Sequence, residues 1–181
     1  MHKGKTKACG VANWELKWLQ ELKASNTTLP AVVQIKHHLH QSSNSPRILA
    51  IKQFCDAHGI VFNGYSPLGR ADWTRFLPPM APTVFDEPVL KSIASRVGRS
   101  EAQVVLRWHM QLAIPTNPRS MVKAHMAENL DVFNWELSKS DMVALSMMPQ
   151  CNTTRGDPFM VGDPEDPQRQ YDHMIGPTIH C

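Results

Sequence analysis

Ile60-Val61-Phe62-Asn63-Gly64-Tyr65-Ser66-Pro67-Leu68-Gly69 is the stretch from which the rest of the chain is read. A β-branched and aromatic run enters a Gly-Tyr-Ser-Pro segment in which an extended strand has to stop. Immediately upstream, Pro46 stands at a first helical position, residues 47–58 carry a helical pattern, and Gly59 is placed as a left-handed cap. A helix feeding a short apolar strand is the repeating step of a parallel α/β fold.

The same step recurs on both sides. Upstream, Ala8-Cys9-Gly10-Val11 is a short apolar run, residues 14–24 form an amphipathic helix with Leu16, Leu19 and Leu22 on one face, and residues 31–35 form the next strand. Downstream, residues 66–86 are irregular and proline-rich (Pro67, Pro78, Pro79, Pro82), a length usual for a lid or binding loop. A helix over 87–97 stops at Gly98. Ser100-Glu101-Ala102-Gln103 is a capping box opening a helix with Val104, Val105, Leu106 and Trp108. Leu112-Ala113-Ile114-Pro115 reads as a fourth strand, residues 121–130 as a helix, and Ser138 with Asp141 as the N-cap of a last helix to Met148. Residues 149–181, with Asp157-Pro158, Asp163-Pro164 and Asp166-Pro167, read as an irregular tail.

Composition narrows the function classes. At 42% hydrophobic and 19% charged, the 181 residues describe an ordinary globular protein without an apolar run of membrane-spanning length. A net charge of +3 with dispersed basic residues does not describe a nucleic-acid-binding surface. Cys9, Cys55, Cys151 and Cys181 are scattered without a CxxC pair, which predicts reduced thiols and a cytoplasmic location. Asn26 and Asn152 open Asn-x-Thr triplets, which matter only in a secreted chain.

Several motifs in order resemble the aldo-keto reductase family: residues 4–14 ending Gly10-Val11-Ala12-Asn13-Trp14, Gln34 within Val33-Gln34-Ile35, the Tyr65-Ser66-Pro67-Leu68-Gly69 run, Pro118-Arg119-Ser120, and Glu128-Asn129-Leu130. The resemblance covers residues 4–148 and implies a partial (β/α)8 TIM barrel, its last four βα units. Residues 1–148 are then one half-barrel and 149–181 its tail. It also implies NADP(H) as cofactor. Asn13 and Gln34 would hold the nicotinamide carboxamide, with Ala12 where the family has serine. Tyr65 would stack on the nicotinamide ring, and Ser66, Leu68 and Gly69 would lie along the pyrophosphate. Arg119 and Ser120 would bind the 2′-phosphate, His125 stands where the family often has arginine, and Glu128 and Asn129 would lie near the adenine.

In that family a tyrosine supplies the proton for carbonyl reduction, assisted by lysine, aspartate and histidine, all on strands before the point matching Gly10. No catalytic residue is assigned in this chain, which is expected to be inactive alone and to act on a small carbonyl substrate when joined to the missing half. The alternative is a silent NADP(H)-binding or protein-interaction module. Four parallel strands cannot close a small barrel, so self-association through open sheet edges is expected.

His37, His38 and His40 invite a metal reading, but no carboxylate or cysteine adjoins them in sequence, and no metal is predicted. Trp73 and Phe76 are candidate lid aromatics, and Arg155-Gly156-Asp157 reads as a turn. Trp14, Trp18 and Trp108 are read as core, and Met142, Met147 and Met148 as packing material.

Overall fold

The computed structural model describes residues 6–42, 44–69 and 83–148. Trp73, Phe76, Arg155, Tyr171 and the whole expected tail lie outside the described residues. In chain order the elements are β1 (Gly10–Ala12), α1 (Leu16–Ala24), β2 (Val32–Lys36), α2 (Pro46–Ala57), β3 (Val61–Tyr65), a 3-10 turn (Val84–Asp86), α3 (Pro88–Val97), α4 (Glu101–Gln111), β4 (Thr116–Asn117), α5 (Lys123–Leu130) and α6 (Lys139–Ser146). The four strands form one parallel sheet in the order β1-β2-β3-β4. This is an open part of a barrel, as expected.

Alternation along the strands separates the two faces of the sheet. Val33, Ile35 and Phe62 are buried with Leu19, Ile48, Ile51 and Cys55 beneath α1 and α2, and Val11 packs against them. Gly10, Ala12, Gln34, Asn63 and Tyr65 therefore occupy the opposite, inner face. Gly64 is confined by close approach: a Cβ there would meet the His37 Cβ at 3.1 Å and the Ile114 Cγ2 at 3.3 Å. A second core joins Leu90, Ile93, Val104, Val105 and Trp108 to Leu137 and Leu145. Trp108 is fully buried and donates its indole N–H to Ser146 Oγ at 3.0 Å. Trp14 and Trp18 are half-buried, with Trp14 against the first core. Met148 is buried and Met142 packs beside it, whereas Met147 is 73% exposed and is not packing material.

The fourth strand lies later than residues 112–115. The end of α4 absorbs that stretch: the Leu112 amide bonds to Trp108 and His109 carbonyls, and the Ile114 amide to the His109 carbonyl. Ala113 takes the left-handed φ of 55° at that turn. Only Thr116 and Asn117 pair with β3. An apolar run fits a helix end as well as a strand, which is why pattern alone misplaced it.

The imidazoles after β2 are interior groups. His37 lies stacked 5.4 Å from Trp108 and edge-on to His109 at 5.0 Å. Burial, reinforced by His109 and Lys52, drives the His37 pKa well below 6.5. Burial does the same to His38, with Lys36 as the next cause. His109 is lowered to about 4 by burial, although carbonyls of Val105 and His37 lie 2.8 and 3.1 Å from its two ring nitrogens and oppose the shift. A neutral ring has one N–H and serves only one of those carbonyls.

Two predictions follow from these local features. The unfolded chain protonates its imidazoles near pH 6.5 while the folded chain resists, so stability is full above that pH and falls as pH drops toward 4. His109 alone contributes a loss of about 2 kcal/mol at pH 5. Urea unfolding at pH 7.5 and 5.0 measures it, and a midpoint unchanged between them contradicts the assignment. Ser100 and Ser138 each accept their N3 amide in a complete capping box, whereas Ser45 makes no side-chain cap bond. Ser100→Ala and Ser138→Ala are expected to cost about 1 kcal/mol each, and Ser45→Ala under about 0.5 kcal/mol, in denaturant midpoints.

Candidate functional site

The C-terminal ends of β1, β2 and β3 lie side by side, and backbone bonds hold their register beyond the strands. Asn13, just past β1, donates its amide to the Gln34 carbonyl at 2.9 Å. It is buried and adopts a φ of 57°, a left-handed conformation that asparagine tolerates better than most residues. His37 donates its amide to the Tyr65 carbonyl at 3.1 Å, fixing the end of β2 against the end of β3. Gln34 is the register partner of both Ala12 and Asn63, and Lys36 is that of Tyr65.

An amide chain crosses this inner face. Gln34 Nε2 donates to Asn63 Oδ1 at 2.8 Å, Asn63 Nδ2 donates to the Pro115 carbonyl at 3.2 Å, and Asn117 Nδ2 reaches Asn63 Oδ1 at 3.4 Å. With its N–H₂ engaged, Gln34 keeps its carbonyl oxygen as an acceptor. Asn63 and Asn117 were absent from the sequence-derived set. The signal that marks them is positional: each stands at an inner-face register of a strand whose neighbouring residue packs outward.

The run after β3 forms a tight turn. Ser66 has a φ of 52°, and the Gly69 amide donates back to the Ser66 carbonyl at 3.0 Å. Gly69 has a φ of 70°, and a Cβ there would meet Val84 Cγ1 at 3.1 Å, so the position is confined to glycine twice over. Leu68 packs against the second core rather than facing outward.

The remaining expected residues follow β4. Arg119 is exposed, and Ser120 Oγ accepts the Val122 amide at 3.1 Å, leading the chain into α5. His125 and Glu128 are exposed on α5, and Asn129 is half-buried. Asn129 lines a cavity of about 680 Å³ with Leu106, Ile114, Met126 and Leu130 among its walls. Ile114 belongs to the helix-side core, so this cavity lies on the outer side of β4, away from Gln34 and Tyr65. The structure thus bonds Asn13 to Gln34 through the backbone and places Tyr65 on the same inner face as Gln34, two registers further along the sheet, while Arg119, Ser120, His125, Glu128 and Asn129 lie separately beyond β4.

The histidine cluster takes no part in this face. His38 and His40 have ring centroids 6.3 Å apart, and His40 Nε2 lies 2.7 Å from Glu87 Oε1. Among the described residues no three His, Cys, Asp or Glu side chains are grouped to hold a metal ion.

Comparison with known proteins bears on the family and the fold. The model of the "Aldo/keto reductase family" matches residues 1–148. The chain is 35% identical over 141 residues to "Aldo-keto reductase family 1 member A1" of Xenopus tropicalis, covering 77% of this chain and 41% of that protein. It is 34% identical over 159 residues to "7-acetyl-epi-neemfruitin B aldo-keto reductase" of Melia azedarach, covering 87% and 46%. The chain therefore spans somewhat under half the length of these relatives. Among solved structures, Gox0644 in its apo form and a variant of Gox0644 in complex with NADPH each superpose with a TM-score of 0.69 at 30% identity, covering 82% of this chain and 49% of theirs. An aldo/keto reductase from Brucella melitensis gives 0.66 at 29% identity, covering 80% and 49%. Family match, relatives and superposed folds agree that the chain belongs to the aldo/keto reductase family.

Proposed function

We propose that this chain supplies the NADP(H)-binding face of a carbonyl-reducing aldo/keto reductase. The observation that carries the reading is the placing of Asn13 just past β1, Gln34 within β2 and Tyr65 at the end of β3, toward the C-terminal end of three adjacent parallel strands, the end at which barrel enzymes place their chemistry. Side-chain amides both donate and accept, and so match a nicotinamide carboxamide. Tyr65 offers a ring face to the nicotinamide. Arg119 and Ser120, at the start of the segment after β4, present a cation and a hydroxyl suited to a 2′-phosphate. The bound NADPH of the Gox0644 variant supports the cofactor class.

The cofactor would supply hydride from C4 of its nicotinamide to a carbonyl carbon, and a proton must reach the carbonyl oxygen. Tyr65, the one tyrosine among the described residues, is committed to stacking in this reading. That favours a second reading, in which these residues hold NADP(H) without turning over substrate. We place the working protein in the cytoplasm.

Titration of the 181-residue chain with NADPH, followed by quenching of tryptophan fluorescence, tests the proposal. Saturable quenching is expected, with Kd raised roughly ten- to hundredfold by Arg119→Ala, in keeping with one charge-assisted hydrogen bond of about 1.5–3 kcal/mol. Tyr65→Ala should weaken binding similarly. A folded chain that shows no saturable quenching overturns the reading. NADPH oxidation on adding an aromatic aldehyde favours the enzyme, and binding without oxidation favours the silent module.

A further inference from the structure

Among the described residues the four strands carry one charged side chain, that of Lys36, at the last position of β2. It follows Gln34 by two residues, and the alternation that turns Val33 and Ile35 toward the helices turns both of them to the inner face. Two rows therefore cross that face. Ala12, Gln34 and Asn63 share the first, which is neutral and tied by the amide bond from Gln34 to Asn63. Lys36, Tyr65 and Asn117 share the second, one strand repeat of roughly 6–7 Å nearer the C-terminal end. Neighbouring strands stand about 4.8 Å apart, so an ammonium on a four-carbon stem has the length to pass Tyr65 and meet a group at the Ser66 turn.

Lys36 is 4% exposed, whereas Gln34 and Tyr65 are half-buried. A lysine is seldom kept out of water unless oxygen atoms compensate its charge. That charge is felt at the end of β2: after burial itself, Lys36 is the largest cause holding the His38 pKa well below 6.5. His38 is thus neutral at pH 7 and adds no charge of its own. Its Nδ1 and the Oε1 of Gln41, both buried, make no hydrogen bond among the described residues. The C-terminal end of β2 so gathers one cation and two unpaired polar atoms beside the end of β3, to which it is bonded through the Tyr65 carbonyl.

We propose that Lys36 holds the diphosphate of the dinucleotide, a role that rests on the NADP(H) reading above and extends it. One ribose separates the nicotinamide from the diphosphate, as one strand repeat separates the amide row from the Lys36 row. A carboxamide needs neutral donors and acceptors, while the diphosphate needs a cation where solvent screening is reduced. Arg119 is exposed beyond β4, two strands away, a place that suits the 2′-phosphate at the other end of the cofactor. The two cations then divide recognition: Lys36 serves what NADPH and NADH share, and Arg119 what distinguishes them.

Isothermal titration of the full chain with NADPH, NADH and adenosine 2′-monophosphate tests this. Lys36→Met keeps the apolar stem and removes the charge. It should raise the Kd of both dinucleotides by the same factor, roughly ten- to hundredfold, and leave that of the mononucleotide unchanged. Lys36→Arg should restore most of the loss. Arg119→Ala should instead weaken NADPH and the mononucleotide together. An equal loss for all three ligands on Lys36→Met would show a merely structural lysine and overturns the proposal, as does a loss confined to NADPH. NADPH binding indifferent to Lys36→Met overturns it alone. A folded chain that binds neither dinucleotide overturns it together with the reading on which it rests.

Discussion

Every feature of the molecule depends on the two-residue alternation along β2. Val33 and Ile35 go under the helices with Phe62, Ile48 and Ile51, which sends Gln34 to the inner face beside Asn63. A slip of one residue would bury the amide and expose the core, so hydrophobic burial of roughly 1.5–3 kcal/mol per side chain fixes the position of the amide. The hydrogen bond from Asn13 to the Gln34 carbonyl then sets β1 in the same register. The site is held by the core of the sheet rather than by its loops.

Much of this was legible in the residues. Gly59 and Gly98 both take the left-handed φ that marked them as helix ends, and the boxes at Ser100 and Ser138 form as read. Asn13, Gln34 and Tyr65 came from the family resemblance, and the structure places them just past β1, within β2 and at the end of β3. Those boundaries failed at β4, where Leu112 to Ile114 close α4 instead of extending. Asn63 and Asn117 were missed because a lone polar residue in a short strand reveals its partners only once the register is known. The burial of His37 was illegible too: a polar side chain just past a strand end looks solvent-facing until α4, with Trp108 and His109, is packed against it.

The residues proposed to lie near the adenine stand beside the apolar cavity. Asn129 lines the apolar cavity, and His125 and Glu128 ride on the same uncovered helix as Met126 and Leu130. The Gln34 amide is fixed differently, by the core residues Val33 and Ile35 on either side of it.

The most direct test of the central claim, that the inner face of the sheet receives the cofactor, is to follow the side-chain amide signals of the nitrogen-15-labelled chain by NMR during addition of NADPH. The account predicts that Asn13, Gln34 and Asn63 shift together and saturably, while Asn44, between β2 and α2, stays in place. Shifts confined to Asn129 and the α5 patch, with the inner-face amides unmoved, would contradict it.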